Sequence, residues 1–495
     1  MERVAPRNVM YENQLPLAIA SKSQRRIFFP EGPAAFSYQG GAKSNIIRIP
    51  INADSMLDAQ NSYLQFTLKN NSGANTIGTD IGVPIIERLR IESAGVTLED
   101  IQSYNKLYGG VLLPCQASLG AVKDATLTQM GLSSTINGLS AVSAFTAHNA
   151  TTLVNGGQAI GATNGGNEAA NIVTAVSEAI NALRTQAGGL NARTQTSFLG
   201  SHQKNDEIGA GAKKVFNVPL VSALLNLDKY LPLVFMNAGL VLELHLSLPN
   251  SVGVCSAGAD NDWDVEDVRY IAHLIDLERE FYDRLRMVME TSGTNLQLTG
   301  TTFRSFRQTE PGNATAPYNI NIPARIKSIK SIFFTHTINS ERYAQQRFGI
   351  GCALSNGVSE YQFRVGPMLY PSTSVKVNLN NKGEAYQELR KAFGNINDYQ
   401  HGGALIDDST YYSVANQVGA QAGEVPRLTP YALDFESFPR TALENGINTA
   451  DRSLPITLEI KREHTGNGGA VDVDVFVMCD AVFYVNTDGS VSVSI

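Results

Sequence analysis

Hydrophobic and polar residues alternate with a period of two along several segments of this chain, and this period predicts β-strands with one buried face. The clearest run covers residues 240–248, where leucine occupies every second position. Shorter runs cover residues 46–51, 63–69 and 471–477, and a Thr487-Asp488-Gly489 turn near the C-terminus predicts a final hairpin. Strands with one apolar face are typical of antiparallel sheets and of β-sandwiches.

The same β plan occurs twice, once over residues 46–248 and once over residues 296–495. In each copy a pair of strands leads into one amphipathic helix. Each copy also has a Leu-Pro dipeptide near a later alternating strand, Leu231-Pro232 in the first copy and Leu454-Pro455 in the second. Because 495 residues exceed the size of one ordinary core, two similar β domains are the natural interpretation.

Three short amphipathic helices accompany these strands. In the first copy, the sequence Thr97-Leu98-Glu99-Asp100 predicts a helix that is capped by the Thr97 hydroxyl and continues to Tyr108. In the second copy, residues 383–394 form the corresponding helix. A third helix, over residues 277–289, falls between the copies, and we expect it to clamp them together.

Residues 114–213 differ in composition from the rest of the chain. No charged residue occurs between residues 125 and 167, and small residues prevail. Disorder usually accompanies high net charge, so we interpret this segment as an ordered insertion that contains a helical stripe from Ile172 to Leu183. The predicted organisation is an N-terminal arm (1–45), a first β domain with this insertion (46–275), a junction helix (276–293) and a second β domain (294–495).

Composition excludes several functional classes. The net charge of −7 argues against a protein that coats nucleic acid, because such a protein needs a basic surface. Charged residues make up 17% of the chain against roughly 25% in typical soluble proteins, which suits a surface largely buried against neighbours and also suits a β-rich protein with many turns. The chain begins without the apolar run of a signal peptide and has no span for a membrane, so we expect synthesis in the cytosol. Four cysteines without metal-ligand spacing are expected as reduced thiols: Cys115, Cys255, Cys352 and Cys479.

The histidines show no catalytic or metal-binding pattern. They are scattered as His148, His202, His245, His273, His336, His401 and His464. His245 lies on the polar side of an alternating strand, where a partly exposed structural role is favoured over a catalytic one. His273 and His336 lie in apolar surroundings, which favours a core role with satisfied hydrogen bonds.

Paired carboxylates are the other candidates for chemistry, because glycoside hydrolases place two acids across a cleft. Asp472 and Asp474 alternate with valines, which indicates the solvated side of a sheet. Asp54 and Asp58 are expected in a turn before the strand at residues 63–69. Asp407-Asp408 lies in a Gly-rich loop, where a bound cation remains an alternative to a plain loop. No catalytic, cofactor-binding or metal-binding residue is therefore assigned.

The N-terminal arm has a small excess of basic residues, namely Arg3, Arg7, Lys22, Arg25 and Arg26. In front of a β domain, such an arm could brace neighbouring copies or make weak contact with nucleic acid. A solvated terminus explains it equally well. Of the two functional roles, contact with nucleic-acid phosphates is the less favoured, since the arm has no cluster of five or more basic residues.

Five stretches, in this order and spacing, carry a family resemblance. They are residues 86–91 leading into 100–108, residues 216–246, residues 361–371, residues 432–436 and residues 479–489. Over most of its length from residue 46 onward, apart from the insertion, the chain resembles the double jelly-roll major capsid proteins of double-stranded DNA viruses. The polinton-like virus and virophage branch is the most similar.

This resemblance implies an all-β fold of two tandem eight-stranded jelly rolls with a few short helices. It also implies a non-enzymatic protein of the virion, whose trimers have a pseudo-hexagonal outline and tile an icosahedral shell with minor capsid and penton proteins. The 114–213 insertion would be a tower loop on the outer surface. Two other classes stay open: a carbohydrate-binding or carbohydrate-active two-domain protein, and a viral spike protein. The single tryptophan, Trp263, makes a sugar-stacking platform improbable, and no shaft repeats are present.

Overall fold

The structure of the protein is a computed structural model. It describes residues 20–38, 43–71, 85–112, 211–248, 262–293, 295–311, 317–339, 353–378, 380–394, 429–438, 443–451, 454–463 and 470–495, together with Cys115, Ile208, Arg342, Ile406, Tyr411 and Tyr412. Most of the 114–213 insertion, with its predicted helical stripe, therefore lies outside the described residues. Asp407-Asp408 and residues 1–19 of the N-terminal arm do too.

The first domain contains two antiparallel sheets. Its strands are β1 (Ser21–Phe28), β2 (Ala35–Phe36), β3 (Ile46–Ile51), β4 (Met56–Asn70), β5 (Ile86–Ser93), β6 (Val96–Ile101), β7 (Lys213–Val218), β8 (Leu231–Pro232), β9 (Leu240–Leu246) and β10 (Trp263–Leu277). One sheet has the order β1-β10-β4-β7, with β2 beside β10 and β8 beside β4. The other has the order β3-β9-β5-β6.

The second domain repeats this arrangement. Its strands are β11 (Leu296–Glu310), β12 (Tyr318–Ile322), β13 (Ile329–Ile338), β14 (Val358–Val365), β15 (Met368–Lys376), β16 (Tyr431–Asp434), β17 (Ile456–Arg462), β18 (Val471–Val485) and β19 (Val491–Ser494). One sheet has the order β11-β18-β13-β16, with β19 beside β18 as the predicted C-terminal hairpin. The other has the order β12-β17-β14-β15.

Within the residues that the structure describes, each domain has eight main strands, and their order is the same in both. Numbered from one to eight within a domain, the strands form one sheet in the order 1-8-3-6 and another in the order 2-7-4-5. This is the connectivity of a jelly roll, so the expected fold class is confirmed. The arm predicted over residues 1–45 contains strand one of the first domain, because β1 pairs with β10 along its whole length.

Two of the three predicted helices are present close to their predicted residues, and the third begins later than predicted. Helix α1 (Tyr104–Leu107) continues into a π-helical turn at Tyr108–Leu112, α2 (Arg279–Ser292) lies between the domains, and α3 (Gly383–Phe393) follows β15. The helix start predicted at Thr97 is wrong, since Thr97 lies inside β6. Ala94 and Gly95 both have positive φ angles and form the tight turn of a β5–β6 hairpin, which commits the next residues to a strand.

Apolar side chains on alternate positions fill the interior of both domains. In the first domain, Leu64, Phe66 and Leu68 of β4 are no more than 1% exposed. In the second, the ring of Phe334 on β13 stacks on Tyr431 at 5.0 Å between ring centroids. The core follows the predicted period of two, so each sheet buries one regular apolar face.

Candidate functional site at the seam between the two domains

The two jelly rolls meet along edge strands that belong to different domains. Strand β6, at the edge of its sheet, packs against β11, the edge strand of the second domain. Three hydrogen bonds follow this contact: Ser305 Oγ donates to the Gln102 carbonyl at 2.7 Å, an Arg307 Nη donates to Ser103 Oγ at 3.0 Å, and an Arg304 Nη donates to the Asp100 carbonyl at 3.4 Å. We call the contact between residues 96–107 and residues 300–307 the seam.

A buried carboxylate lies at the centre of the seam. Glu99 is 1% exposed, and its oxygens accept hydrogen bonds from the Thr302 hydroxyl at 2.6 Å and from the backbone amides of Ala223 at 2.9 Å and Leu224 at 3.4 Å. Burial raises the pKa of Glu99, and these donors oppose the rise. Because Thr302 belongs to the second domain, Glu99 joins both jelly rolls through one side chain.

The backbones also approach closely at the seam. Gly300 of β11 lies so near Ala223 that a Cβ atom at Gly300 would be 2.9 Å from the Ala223 carbonyl oxygen. A side chain at this position would push the two domains apart. The sequence had no signal for this role, since a lone glycine within a strand does not reveal which chain segment faces it.

Asp472 and Asp474 are buried at 2% and 1% exposure, so their predicted position on a solvated sheet face is wrong. Arg342 makes a bidentate contact with Asp474, at 2.8 and 2.9 Å, and Arg307 adds a third bond at 2.9 Å. Burial alone would raise the pKa of Asp474, but the two guanidinium groups outweigh it and hold that pKa well below its usual range. Asp472 accepts hydrogen bonds from Thr309 and Asn339.

The first domain contributes charge to this buried cluster. Lys106 on α1 is 1% exposed, and its positive charge helps to lower the pKa of both Asp474 and His336. Arg307 connects the cluster to the seam, since it contacts Asp474 and Ser103 together. The seam and the buried ion pairs of the second domain therefore form one continuous polar network.

The candidate histidines have structural surroundings. His336 is fully buried as predicted, its Nε2 lies 2.7 Å from the Tyr318 hydroxyl, and burial lowers its pKa to about 3. His245 is partly exposed as predicted, and its Nε2 lies 2.8 Å from a Glu243 carboxylate oxygen. The backbone amide of His273 donates to Ser62 Oγ at 3.1 Å, and the residue is half-buried.

The remaining candidates have local roles. Asp58 lies within β4 rather than in the turn predicted for it, and it accepts a hydrogen bond from the Asn61 side chain at 2.7 Å beside an irregularity in the ladder with β10. Asp54 does lie in the bend before that strand. Trp263 is 1% exposed, so its ring offers no surface for stacking on a sugar.

Two searches within the described ranges were negative. No three acidic, histidine or cysteine side chains in those ranges lie close enough together to hold a metal ion. No helix found there has the length and apolarity needed to cross a membrane. Cys115 and Cys479 form no disulfide within the described residues, and the other two cysteines, Cys255 and Cys352, lie outside them.

Comparison with solved structures identifies the fold. VP54 of the virus PBCV-1, in a crystal structure fitted into a cryo-EM reconstruction of the virophage Sputnik, aligns over 98% of this chain and 99% of its own, with a TM-score of 0.52 and 10% identity. The chain has the double jelly-roll fold. The Faustovirus major capsid protein aligns over 96% of this chain and 92% of its own, with a TM-score of 0.50 and 8% identity. No protein-family model and no curated protein matches the sequence.

Proposed function

We propose that this protein is a major capsid protein that assembles as trimers into an icosahedral shell around a double-stranded DNA genome. The observation that carries the proposal is the doubled jelly roll with a buried polar seam. Two similar domains held at one fixed contact give each chain two near-equivalent edges. Three chains then present six edges, and one protein can tile a closed surface.

The fold-level likeness gives the proposal its context. The Faustovirus protein with this fold is a major capsid protein, and VP54 was fitted into a virophage particle. Both are less than 11% identical to this chain, so the likeness concerns the fold, and the function rests on the geometry above.

The surface of a single chain suits self-association. Phe29, Met287 and Phe438 are large apolar side chains that are exposed at 61%, 66% and 66%. Obligate interfaces bury upward of roughly 2,000 Å², and they cover such side chains. A chain with only 17% charged residues loses little solvation of charge when its surface is covered.

Further partners belong to the same proposal. A shell of this kind needs penton proteins at its vertices and minor capsid proteins between its trimers. In this proposal the protein is synthesised in the host cytoplasm and becomes part of the virion. Weak contact with the genome through the N-terminal arm, residues 1–45, belongs to the same proposal. No catalytic role is proposed for any residue.

The mass and outline of the purified protein test this proposal. Light scattering coupled to size exclusion should give three 53.4-kDa chains, about 160 kDa in total, and negative-stain images should show hexagonal outlines. A stable monomer that binds or hydrolyses glycans would contradict the capsid function and favour the carbohydrate-active alternative.

A further inference from the structure

The seam joins one edge strand of each domain. Among the edge strands of each domain, strand one ends one sheet and strand five ends the other. Strand five of the first domain, β6, packs against strand one of the second, β11. Strand one of the first domain, β1, and strand five of the second, β15, lie at sheet edges in the same way. Within the described part of the chain, neither has a strand paired on its outer side.

Burial separates the joined edges from the open ones. The first six residues of β1 are exposed on both faces of the strand. In β15, five of nine residues are exposed, including Met368 and Leu369. By contrast, Leu98, Glu99 and Ile101 of β6 are buried, partly because β11 covers that edge. An exposed edge strand with apolar side chains is a site for pairing with another surface.

The chemistry of the open edges matches that of the seam. In the seam, strand one supplies cationic and hydroxyl donors, Arg304, Ser305 and Arg307, to oxygen acceptors on and after strand five. Strand β1 carries the same kinds of donor in Lys22, Arg25 and Arg26, together with two serines, and it contains no acidic residue.

Strand β15 offers oxygen acceptors at its edge. Ser372 and Thr373 are exposed, and their hydroxyl oxygens are acceptors of the same kind as Ser103 Oγ in the seam. Glu384, at the start of α3, accepts a hydrogen bond from the Lys376 amide at 3.2 Å. Donors on strand one and acceptors around strand five are thus present on the open edges too, with the same polarity as in the seam.

We propose that β1 of one copy packs against the β15 edge of a second copy, which repeats between chains the contact that β11 and β6 make within a chain. The inference rests on the proposed self-assembly and names the surfaces that perform it. Such a contact joins different surfaces of the two copies, so it runs head to tail and closes into a ring when the rotation allows. A ring of three chains then contains six like contacts, three within chains and three between them.

Site-directed cross-linking tests this contact. Ser23→Cys and Thr373→Cys are made in separate chains with different tags and co-expressed, and a short bis-maleimide is added. We expect a cross-linked dimer that carries both tags. The matched control pairs Ser23→Cys with Arg284→Cys, which is also exposed but lies on α2, a helix that does not pack against β15, and it should give no such band above the native-cysteine background.

Light scattering on the same samples separates the possible failures. Chains that associate without the Ser23–Thr373 cross-link would overturn the β1–β15 contact while the capsid proposal stands. Chains that stay monomeric would overturn both. As a second readout, Arg25→Glu with Arg26→Glu should raise the concentration at which trimers dissociate at least tenfold, whereas Arg279→Glu with Arg284→Glu on α2 should leave it unchanged.

Discussion

The two jelly rolls begin their last main strand with the same acidic pattern, yet the acids have different surroundings. In β10 the acids are Asp264 and Glu266, and in β18 they are Asp472 and Asp474. Lys43 and Lys213 pair with the first two from the surface, where their side chains are 39% and 52% exposed. The β18 acids instead bind arginines, one of which, Arg342, is 5% exposed.

This difference follows from what covers each sheet. Arg342 and, from the first domain, Lys106 lie close to the start of β18, so its acids need partners that tolerate burial. Arginine suits this environment because its planar guanidinium satisfies a carboxylate through two parallel bonds and is weakly hydrated. Lysine suits the β10 acids because its ammonium group stays in water. A shared sequence pattern therefore pairs the acids with exposed lysines in one domain and with a buried arginine in the other.

Among these changes, removal of one buried charge from β18 should lower the free energy of unfolding most. Asp474→Asn leaves the buried Arg342 with its longer contact of 3.5 Å to Asp472, and it leaves the partly exposed Arg307 without its carboxylate. We therefore expect the free energy of unfolding to fall by about 3 kcal/mol. Urea denaturation followed by fluorescence measures the change. The variant should still express, because the jelly-roll core itself is unaltered.

The matched variant in the first domain is Glu266→Gln, which breaks contacts with exposed lysines. We expect a loss of no more than about 1 kcal/mol, the usual range for such surface pairs. If the two variants lost equal stability, coverage of the sheet would not be the cause of the difference between β10 and β18.

Low pH should destabilise the second domain through the buried ring of His336. The pKa of His336 is lowered to about 3, below its usual 6.5, because the neutral ring is buried. The unfolded chain then binds more protons, so stability is complete above pH 6.5 and falls as the pH drops towards 3. At pH 4.5 the loss is about 3 kcal/mol. The lowered pKa of Asp474 acts in the same direction, but only below about 3.8, its usual value.

Denaturation at several pH values between 7.5 and 4.5 measures this loss. His336→Gln should flatten the dependence, while Asp474→Asn should keep it, because Asp474 titrates below this window. An unchanged slope in His336→Gln would assign the acid sensitivity to another group.

The sequence predicted the repeated elements well, because each depends on local periodicity. The strand expected at residues 46–51 and the helix expected at residues 383–394 agree with the observed Ile46–Ile51 and Gly383–Phe393. The false helix start at Thr97 shows the limit of a local motif. Its capping pattern was overridden by the hairpin that Ala94 and Gly95 create.

The seam could not be predicted in this way. Alternation of acids and valines reports that one strand face is polar, but it does not say whether water or another domain covers that face. Asp474 and Arg342 are 132 residues apart in sequence, and Glu99 and Thr302 are 203 apart. The strand pairing of the second jelly roll brings the first pair together, and the packing of the two domains brings the second pair together.

Glu99 is the seam acid whose hydrogen-bond partners are uncharged, so the loss of one donor should have a smaller effect than the loss of the Asp474 charge. Thr302→Val removes the hydroxyl that donates to Glu99 but keeps the shape of the side chain, so a buried carboxylate loses a donor. We expect a loss of about 2 kcal/mol, typical of a hydrogen bond to a charged group. Thr301→Val, at the half-buried neighbouring position, should change stability by no more than about 0.5 kcal/mol. Equal effects would mean that Glu99 draws its stability from the Ala223 and Leu224 amides alone, and that the contact between the domains does not depend on this bond.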